Sequence, residues 1–281
     1  MDKIPVRHIN STRKEPALSE SFSIRDVHDM LGGVDMVQEL HRHDFFFILA
    51  IKNGTGEHDI DFVPYTVANH TVFLMRPGQV HKLVLKAGSE GYLLQFGAEF
   101  YTPRHTLLPR SANINCYQPD EGRFKKLFMA LAGIFEECTL RQQGYQEVIK
   151  ASLDIFFIGL VREHTNHATA RAGIYPQQQL DTFLDLLDTH FSEQKEVAQY
   201  AAMMNLSVYQ LNAITKAMLD KTCSGLINER IILEAKRYLL ATSNQVNQIA
   251  WHLGYEDVSY FIRFFKKHTG HSPESFRHNF S

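Results

Sequence analysis

Four histidines in the N-terminal half have the residue type and spacing for ligand binding. His41 and His43 are two residues apart in "LHRHD", so on a β-strand their imidazoles would lie on the same face. His58 alternates with acidic residues in "GEHDID", and His81 follows the turn residues of "RPGQVH". Grouped imidazoles can line a pocket for an organic ligand, support the fold, or bind a divalent metal ion weakly. We favour the first alternative and predict that these four histidines contact a small molecule, with no metal and no cofactor.

A second group of residues with binding chemistry is cationic and lies near the C-terminus. Arg263, Lys266 and Lys267 occur in "FIRFFKK", within a segment that is also rich in aromatic residues. Arginine can donate two hydrogen bonds to guanine or clamp a phosphate, whereas lysine mainly neutralises phosphates. Because the net charge of the chain is only −2, a nucleic-acid surface would have to be local. The alternative for each lysine is a solvated surface charge.

Two helical segments that repeat one pattern are predicted to position these cations. The segments, about residues 197–219 and 246–268, align with Asn205 at the position of Gly254. Asn and Gly are the residue types that most readily adopt the left-handed conformation that ends a helix. Each segment therefore predicts a short helix, a sharp turn and a second helix, which is the helix-turn-helix arrangement.

The second helix of each unit is predicted to begin at a capping residue. Ser207, followed three residues later by Gln210, matches a capping box, and Asp257 is a suitable N-cap in the second unit. Residues near the start of such a helix face base edges in the major groove. The residues predicted to contact DNA are Val208, Tyr209, Asn212, Lys216, Val258, Ser259, Tyr260, Arg263, Lys266 and Lys267. Residues 224–242, between the units, predict one long helix that holds them apart.

The C-terminal motif carries a family resemblance. The segment "IAWHLGYEDVSYFIRFFKKHTGHSPESFR", with "RIILEAKRYLL" upstream, closely resembles the signature of AraC/XylS-type transcription regulators over roughly residues 178–279. The resemblance implies DNA binding by two helix-turn-helix units, RNA polymerase as a partner, and an N-terminal cupin-like domain for sensing and dimerisation. Family members often have an arginine near Ala213 and a glycine at Asp220, so the first unit departs from the pattern. We expect moderate intrinsic DNA affinity, raised by dimerisation.

The N-terminal half is predicted to contain short strands separated by turn residues. This pattern is typical of a small antiparallel barrel or jelly roll. The dipeptide Asn53-Gly54 predicts a β-hairpin, in whose second arm His58, Ile60 and Phe62 would face the interior. Cupin metal sites resemble the histidine pattern described above, but they also contain a glutamate that this sequence lacks at the expected spacing.

Residues 122–163 are predicted to form two helices joined by a loop near Gly144. Their apolar residues cover a wide arc. Either one face packs on the barrel and nothing more, or the surplus apolar surface forms a symmetric dimer contact, which we favour. Residues 164–176 are small, polar and without periodicity, and they predict a linker.

Together these features predict an α+β protein of two domains. Residues 1–121 would form an N-terminal arm and a cupin-like, jelly-roll β-barrel for sensing, 122–163 a dimerising helical hairpin, 164–176 a linker, and 177–281 an all-α double helix-turn-helix domain. No apolar segment is long enough for a signal peptide or a membrane helix, so we expect a cytoplasmic protein without membrane partners.

The predicted function is sequence-specific transcription regulation. The protein would bind double-stranded DNA as a homodimer and respond to a small-molecule effector in the barrel. The alternatives are a metal-dependent cupin enzyme with a helical appendage and a regulator that needs no ligand. The sequence contains no nucleophile elbow, phosphate-binding glycine loop or HExxH motif, which argues against an enzyme.

Overall fold

The structure, a computed structural model, describes residues 4–7, 9, 21–102, 114–165 and 174–280. The chain divides into an N-terminal unit that contains the β-strands and an all-helical C-terminal unit. The N-terminal unit consists of β1 (Val6–Arg7), β2 (Phe22–Asp26), α1 (Val27–Leu31), β3 (Met36–His43), β4 (Phe46–Asn53), β5 (Gly56–Ile60), β6 (Val63–Val67), β7 (Thr71–Met75), β8 (Val80–Leu85), β9 (Glu90–Phe96), β10 (Cys116–Tyr117), α2 (Glu121–Leu140) and α3 (Tyr145–Thr165). The predicted α+β class is confirmed.

The C-terminal unit consists of helices alone within the described residues. They are α4 (Ile174–His190), α5 (Val197–Met203), α6 (Val208–Leu219), α7 (Cys223–Ala241), α8 (Val246–His252), α9 (Val258–Thr269) and α10 (Pro273–Phe280). The pairs α5–α6 and α8–α9 correspond to the two predicted helix-turn-helix units, and α7 is the long helix between them. None of the helices in the described part of the chain is long and apolar enough to cross a membrane.

Two sheets face each other in the N-terminal unit. Within the described residues their strand orders are β1-β3-β8-β5-β6 and β10-β7-β4-β9-β2. All neighbouring strands run antiparallel except β1 and β3, which pair in parallel. The parallel pair departs from the wholly antiparallel barrel that the sequence predicted, and it involves only Val6 and Arg7 on β1.

Strand β4 is apolar along most of its length because both of its faces are buried. Phe47 and Leu49 point into the core between the two sheets, together with Leu83 of β8. Ile48 and Ala50 point the other way, into a second core shared with α2 and α3. The helical hairpin therefore covers the outer face of the second sheet. This agrees with the sequence-based alternative in which one face of the hairpin packs on the barrel.

The predicted hairpin at Asn53-Gly54 is wrong. Strand β4 pairs with β7 and β9, whereas β5 pairs with β6 and β8, so this dipeptide connects the two sheets. The two-residue hairpin turn lies instead at Asp61-Phe62, between β5 and β6, where both residues have positive φ (48° and 68°). Phe62 therefore occupies a turn and does not face the interior as predicted, because β5 ends at Ile60.

The linker predicted at residues 164–176 lies largely outside the described residues. Its first two positions belong to the end of α3, and its last three belong to the start of α4. Helices α3 and α4 thus extend from both sides into the segment that was predicted, from its composition, to be a linker.

Candidate nucleic-acid interface and histidine cluster

The first helix-turn-helix unit is closed by Asn205. This residue has a left-handed backbone (φ 53°), as predicted, and the next amide, of Leu206, donates to the Ala201 carbonyl oxygen at 2.9 Å. The hydroxyl oxygen of Ser207 then accepts from the Gln210 amide at 3.2 Å, while Gln210 Oε1 accepts from the Ser207 amide at 2.8 Å. The predicted capping box is therefore present, and it fixes the direction in which α6 leaves the turn.

The second unit has the same construction with Gly254 in the turn. Its φ is 74°, and the Tyr255 amide donates to the Ala250 carbonyl oxygen at 2.9 Å. Asp257 caps α9, since its Oδ1 accepts from the amides of Ser259 (2.8 Å) and Tyr260 (3.2 Å). This cap leaves the first turn of α9 at the surface.

Helix α9 separates an apolar face from a cationic face. Phe261 and Phe265 are fully buried and pack with Phe276 of α10 and Tyr255. On the opposite face the exposed side chains are Ser259, Tyr260, Arg263, Lys266 and Lys267. Arg263 is 69% exposed, and its nearest carboxylate, on Asp257, is 3.9 Å away. An exposed guanidinium with only a distant carboxylate partner is well placed to contact a base edge or a phosphate.

Helix α6 presents a weaker face of the same kind. Tyr209 is 82% exposed, Val208 is 43% exposed, and Lys216 lies two turns further along the same surface. Ala213, where related proteins often have arginine, is also exposed. The two recognition helices therefore differ in cationic character, as the sequence indicated.

Asn212, one of the residues predicted to contact DNA, also makes two hydrogen bonds within the protein. Its Nδ2 donates to the Val208 carbonyl oxygen at 3.1 Å, and its Oδ1 accepts from the Cys223 amide at 3.1 Å. Both ends of the side-chain amide are thus used inside the protein. Asn212 holds the first turn of α7 against α6, and Tyr209 is a strongly exposed polar side chain in the first part of α6.

The guanidinium of Arg277 is directed into the protein. Nε donates to the Leu239 carbonyl oxygen at 2.8 Å, and Nη2 donates to the Asn244 carbonyl oxygen at 2.6 Å. The side chain satisfies the carbonyls at the end of α7 and fastens α10 to it. Arg277 is therefore a structural residue of the second unit.

Lys195 is a positioning residue that the sequence did not indicate. Its Nζ donates to the carbonyl oxygens of Ser192 (2.7 Å) and Gly254 (3.0 Å) and lies 4.9 Å from the centre of the Tyr255 ring. Burial lowers the pKa of this amine. Lys195 precedes the first unit yet supports the turn of the second, and a contact across 59 residues leaves no local sequence signal.

Helix α7 carries a buried ionic cluster at the centre of the C-terminal unit. Glu234 accepts hydrogen bonds from Arg230 (3.0 Å) and Arg237 (2.9 Å), and Arg230 also contacts Asp188 of α4 at 2.6 Å. Glu234 is only 3% exposed and Arg237 only 5%. These charges are compensated within the unit, so they do not contribute to a DNA-binding surface.

The four predicted histidines come together between the two sheets. His41 and His43 lie on β3, His81 on β8 and His58 on β5, and all four are at most 3% exposed. Nε2 of His81 lies 3.0 Å from Nε2 of His41 and 2.8 Å from Nε2 of His43. On the other side of its ring, His81 Nδ1 lies 2.8 Å from Nε2 of His58. Adjacent strands bring the rings together because the register pairs His41 with His81.

Burial disfavours the charged form of these imidazoles. It lowers the pKa of His43 and of His58 to about 3, with smaller contributions from the neighbouring histidines, and it also lowers the pKa of His41 and His81. Charge on Arg7 acts in the same direction on His41, His43 and His81. Phenyl rings close the cluster, with Phe47 stacked on His43 at 5.5 Å and Phe73 against His58 at 4.7 Å.

Comparison with known proteins places both units in described families. An AraC-like ligand-binding domain model matches residues 35–153, and a helix-turn-helix domain model matches residues 200–279. The HTH-type transcriptional activator RhaS of Pectobacterium carotovorum subsp. carotovorum (strain PC1) is 25% identical over 248 residues, which cover 85% of this chain and 87% of RhaS. RhaS of Escherichia fergusonii is 24% identical over 244 residues, with 84% and 86% coverage.

Among solved structures, ToxT from Vibrio cholerae O395 matches 92% of this chain and 98% of its own length, with a TM-score of 0.41 and 14% identity. The matched units and the curated relatives define the chain as a DNA-binding transcription regulator with an N-terminal ligand-binding domain. The N-terminal match includes the whole histidine cluster, and the C-terminal match includes α6 and α9. The chain thus combines a unit similar to AraC-like ligand-binding domains with a helix-turn-helix unit.

Proposed function

We propose that this regulator reads its operator mainly through α9, with α6 contributing a weaker second contact. The observation that carries the proposal is the exposed polar and cationic face of α9, which is held outward by the buried Phe261 and Phe265. Val258, Ser259 and Tyr260 lie in the first turn, where a recognition helix approaches base edges. Lys266 and Lys267 lie further along the helix and neutralise phosphates.

Arg263 is the side chain on which specificity depends in this proposal. We expect Arg263→Ala to weaken operator binding by about 1–3 kcal/mol, because a guanidinium can make two hydrogen bonds to a guanine that no other group replaces. Competitive gel-shift titration at fixed salt measures the effect on operator and on unrelated DNA. Since the side chain is exposed, the fold should not change.

Two matched variants separate base reading from charge. Arg263→Lys keeps the positive charge but loses the planar fork, so a base contact predicts that it loses specificity nearly as strongly as the alanine variant. Lys266→Ala should weaken binding to all sequences alike. It should also reduce the slope of log affinity against log salt concentration by about one, as expected for the loss of one phosphate contact. An operator affinity of Arg263→Ala equal to that of the original protein contradicts the proposed role.

We further propose that the protein acts as a homodimer through its helical hairpin. Val148 and Ile155, which lie on one face of α3, are 44% and 64% exposed. Met129 and Leu140 of α2 are 64% and 56% exposed. Large apolar side chains concentrated on one helical pair favour a contact with a second copy. Dimerisation would raise the affinity for paired DNA sites by effective concentration.

The dimer proposal predicts a specific effect of Ile155→Glu. A carboxylate at this position would be desolvated in an apolar contact, so we expect the dimer dissociation constant to rise at least about tenfold. Analytical ultracentrifugation across a concentration series measures it. Val34→Glu is the matched control, because Val34 is 67% exposed and lies outside the hairpin. Equal self-association of the two variants would contradict the proposed contact.

Regulation by a small molecule completes the proposed function. The ligand-binding model covers β3 to β10 and most of the hairpin, so we propose that an effector bound in this unit controls the protein. The RhaS relatives are named transcriptional activators, and we propose activation with contact to RNA polymerase for this chain as well. Catalysis is not part of the proposal. Genomic footprinting with and without candidate ligands tests the proposed regulatory function as a whole.

A further inference from the structure

We propose that His41, His43 and His81 together bind one divalent transition-metal ion inside the N-terminal unit. The three rings each offer one nitrogen, and these nitrogens all lie within 4.8 Å of one another. Imidazole is a preferred ligand of Zn²⁺ and of neighbouring ions such as Co²⁺, Ni²⁺ and Cu²⁺. The inference concerns the N-terminal unit alone and is independent of the proposed DNA contacts.

The spacing of the ring nitrogens suits a shared ion. Nitrogen ligands about 2.0–2.1 Å from a tetrahedral Zn²⁺ lie about 3.3 Å from one another. The Nε2 atoms of His41 and His43 are 3.0 and 2.8 Å from that of His81. The third pair, His41 and His43, lies within 4.8 Å, so rotation of the rings about their side-chain bonds would be needed to bring all three nitrogens to one ion. The fourth position would be taken by water or a small ligand, as in other three-histidine sites.

The proton inventory of the cluster also favours an ion. His41 Nδ1 lies 2.6 Å from the Glu39 carbonyl oxygen, which can only accept, so the proton of neutral His41 is on Nδ1 and its Nε2 carries a lone pair. If His81 Nε2 carries a proton, that proton can serve either His41 or His43, but not both. If His43 supplies the proton, the lone pairs of His41 and His81 face each other at 3.0 Å. Every tautomer of the neutral cluster leaves one close nitrogen pair without a hydrogen bond.

A bound cation resolves this conflict because it accepts all three lone pairs. His81 then carries its proton on Nδ1 and donates to His58 Nε2 across 2.8 Å, while His41 continues to donate to Glu39. Metal-binding histidines characteristically donate their second ring N–H to a carbonyl or another acceptor in this way. His58 is therefore a supporting residue, and the glutamate of the cupin pattern is not needed for a three-nitrogen site.

The test uses the full-length protein after chelator treatment, titrated with Co²⁺ and then with Zn²⁺. We expect one Co²⁺ per chain with the intense visible bands of four-coordinate cobalt, and their loss when Zn²⁺ displaces it. His43→Gln and His81→Gln should weaken binding at least about tenfold, and His58→Gln should weaken it less. His28→Gln is the matched control, since His28 is an exposed histidine of the same unit. Unaltered binding in the first two variants would overturn the proposal.

A second measurement avoids the risk that a variant fails to fold. Ring-nitrogen NMR of the original protein, with and without one equivalent of Zn²⁺, reports each imidazole separately. Large shifts at Nε2 of three buried rings, with the signal of His28 unchanged, support the site. Shifts confined to exposed histidines, or no uptake at micromolar Zn²⁺, overturn it.

Discussion

Gly254→Ala is expected to destabilise the C-terminal unit by about 2–5 kcal/mol and to abolish operator binding. Residue 254 has φ 74°, where a side chain costs about 1–2 kcal/mol. A methyl group there would also overlap the main-chain oxygen of Ser192, and overpacking of this kind costs about 1–3 kcal/mol more. The turn between α8 and α9 can form only if the neighbouring chain moves.

Trp251 provides the measurement, since it is the single tryptophan of the chain and lies in α8. Its fluorescence during urea denaturation reports the stability of the unit that carries the substitution. Gly270→Ala is the matched control, because Gly270 also has positive φ (82°) but an added methyl group meets nothing within 4 Å. The variant at 254 should lose clearly more stability than the control. Equal losses in the free energy of unfolding of the two variants would show that the overlap with Ser192 does not contribute to the destabilisation.

Glu234→Ala is expected to cost about 3–5 kcal/mol, because it leaves buried positive charge without its carboxylate. Glu234 lies 3.0 Å from Arg230 and 2.9 Å from Arg237, and the side chains of Glu234 and Arg237 are only 5% and 6% exposed. The substitution removes a charged hydrogen-bond acceptor from a buried guanidinium, which desolvation makes unfavourable. The same fluorescence measurement reports the loss.

Two comparisons isolate the buried charge as the cause. Glu229→Ala changes the same residue type on the same helix, but Glu229 and its partner Lys221 are 56% and 48% exposed, so little stability should be lost. Replacing both partners, as Glu234→Leu with Arg237→Met, should cost less than Glu234→Ala alone, since no charge is left unpaired. A double variant less stable than the single one would contradict this explanation.

Local signals explain most of what the sequence predicted correctly. Asn205 and Gly254 adopt left-handed backbones, and Ser207 with Gln210 forms a capping box. These features depend on residues within one turn of each other, so their chemistry can be recognised from a short segment. Strands Thr71–Met75 and Val80–Leu85 fit the predicted pattern of short strands for the same reason, because turn residues separate them.

The errors arise where the outcome depends on distant partners. Asn53-Gly54 has the composition of a hairpin turn, but β4 gains two apolar faces by joining the sheet of β7 and β9. Asn212 was predicted only as a base reader, and its hydrogen bond to the amide at the start of α7 was not foreseen. Arg277 likewise satisfies carbonyls 33 and 38 residues earlier in the chain. Nothing local distinguishes these roles from DNA binding.

The histidine cluster was predicted only in part. The sequence placed His41 and His43 on one face of a strand, and the structure agrees. It could not indicate that His81 would lie directly across from His41, because strand register is decided by the sheet as a whole. The convergence of three ring nitrogens is therefore visible only in the fold.

Helix α7 serves both helix-turn-helix units, since it packs against α6 at one end and against α8 and α10 at the other. A destabilising substitution in the interior of α7 would therefore disturb both helix-turn-helix units, although its buried side chains are not available to contact DNA. Genetic screens for loss of promoter control should thus recover substitutions here as often as at true contact positions. Only a measurement of folding would tell the two kinds apart.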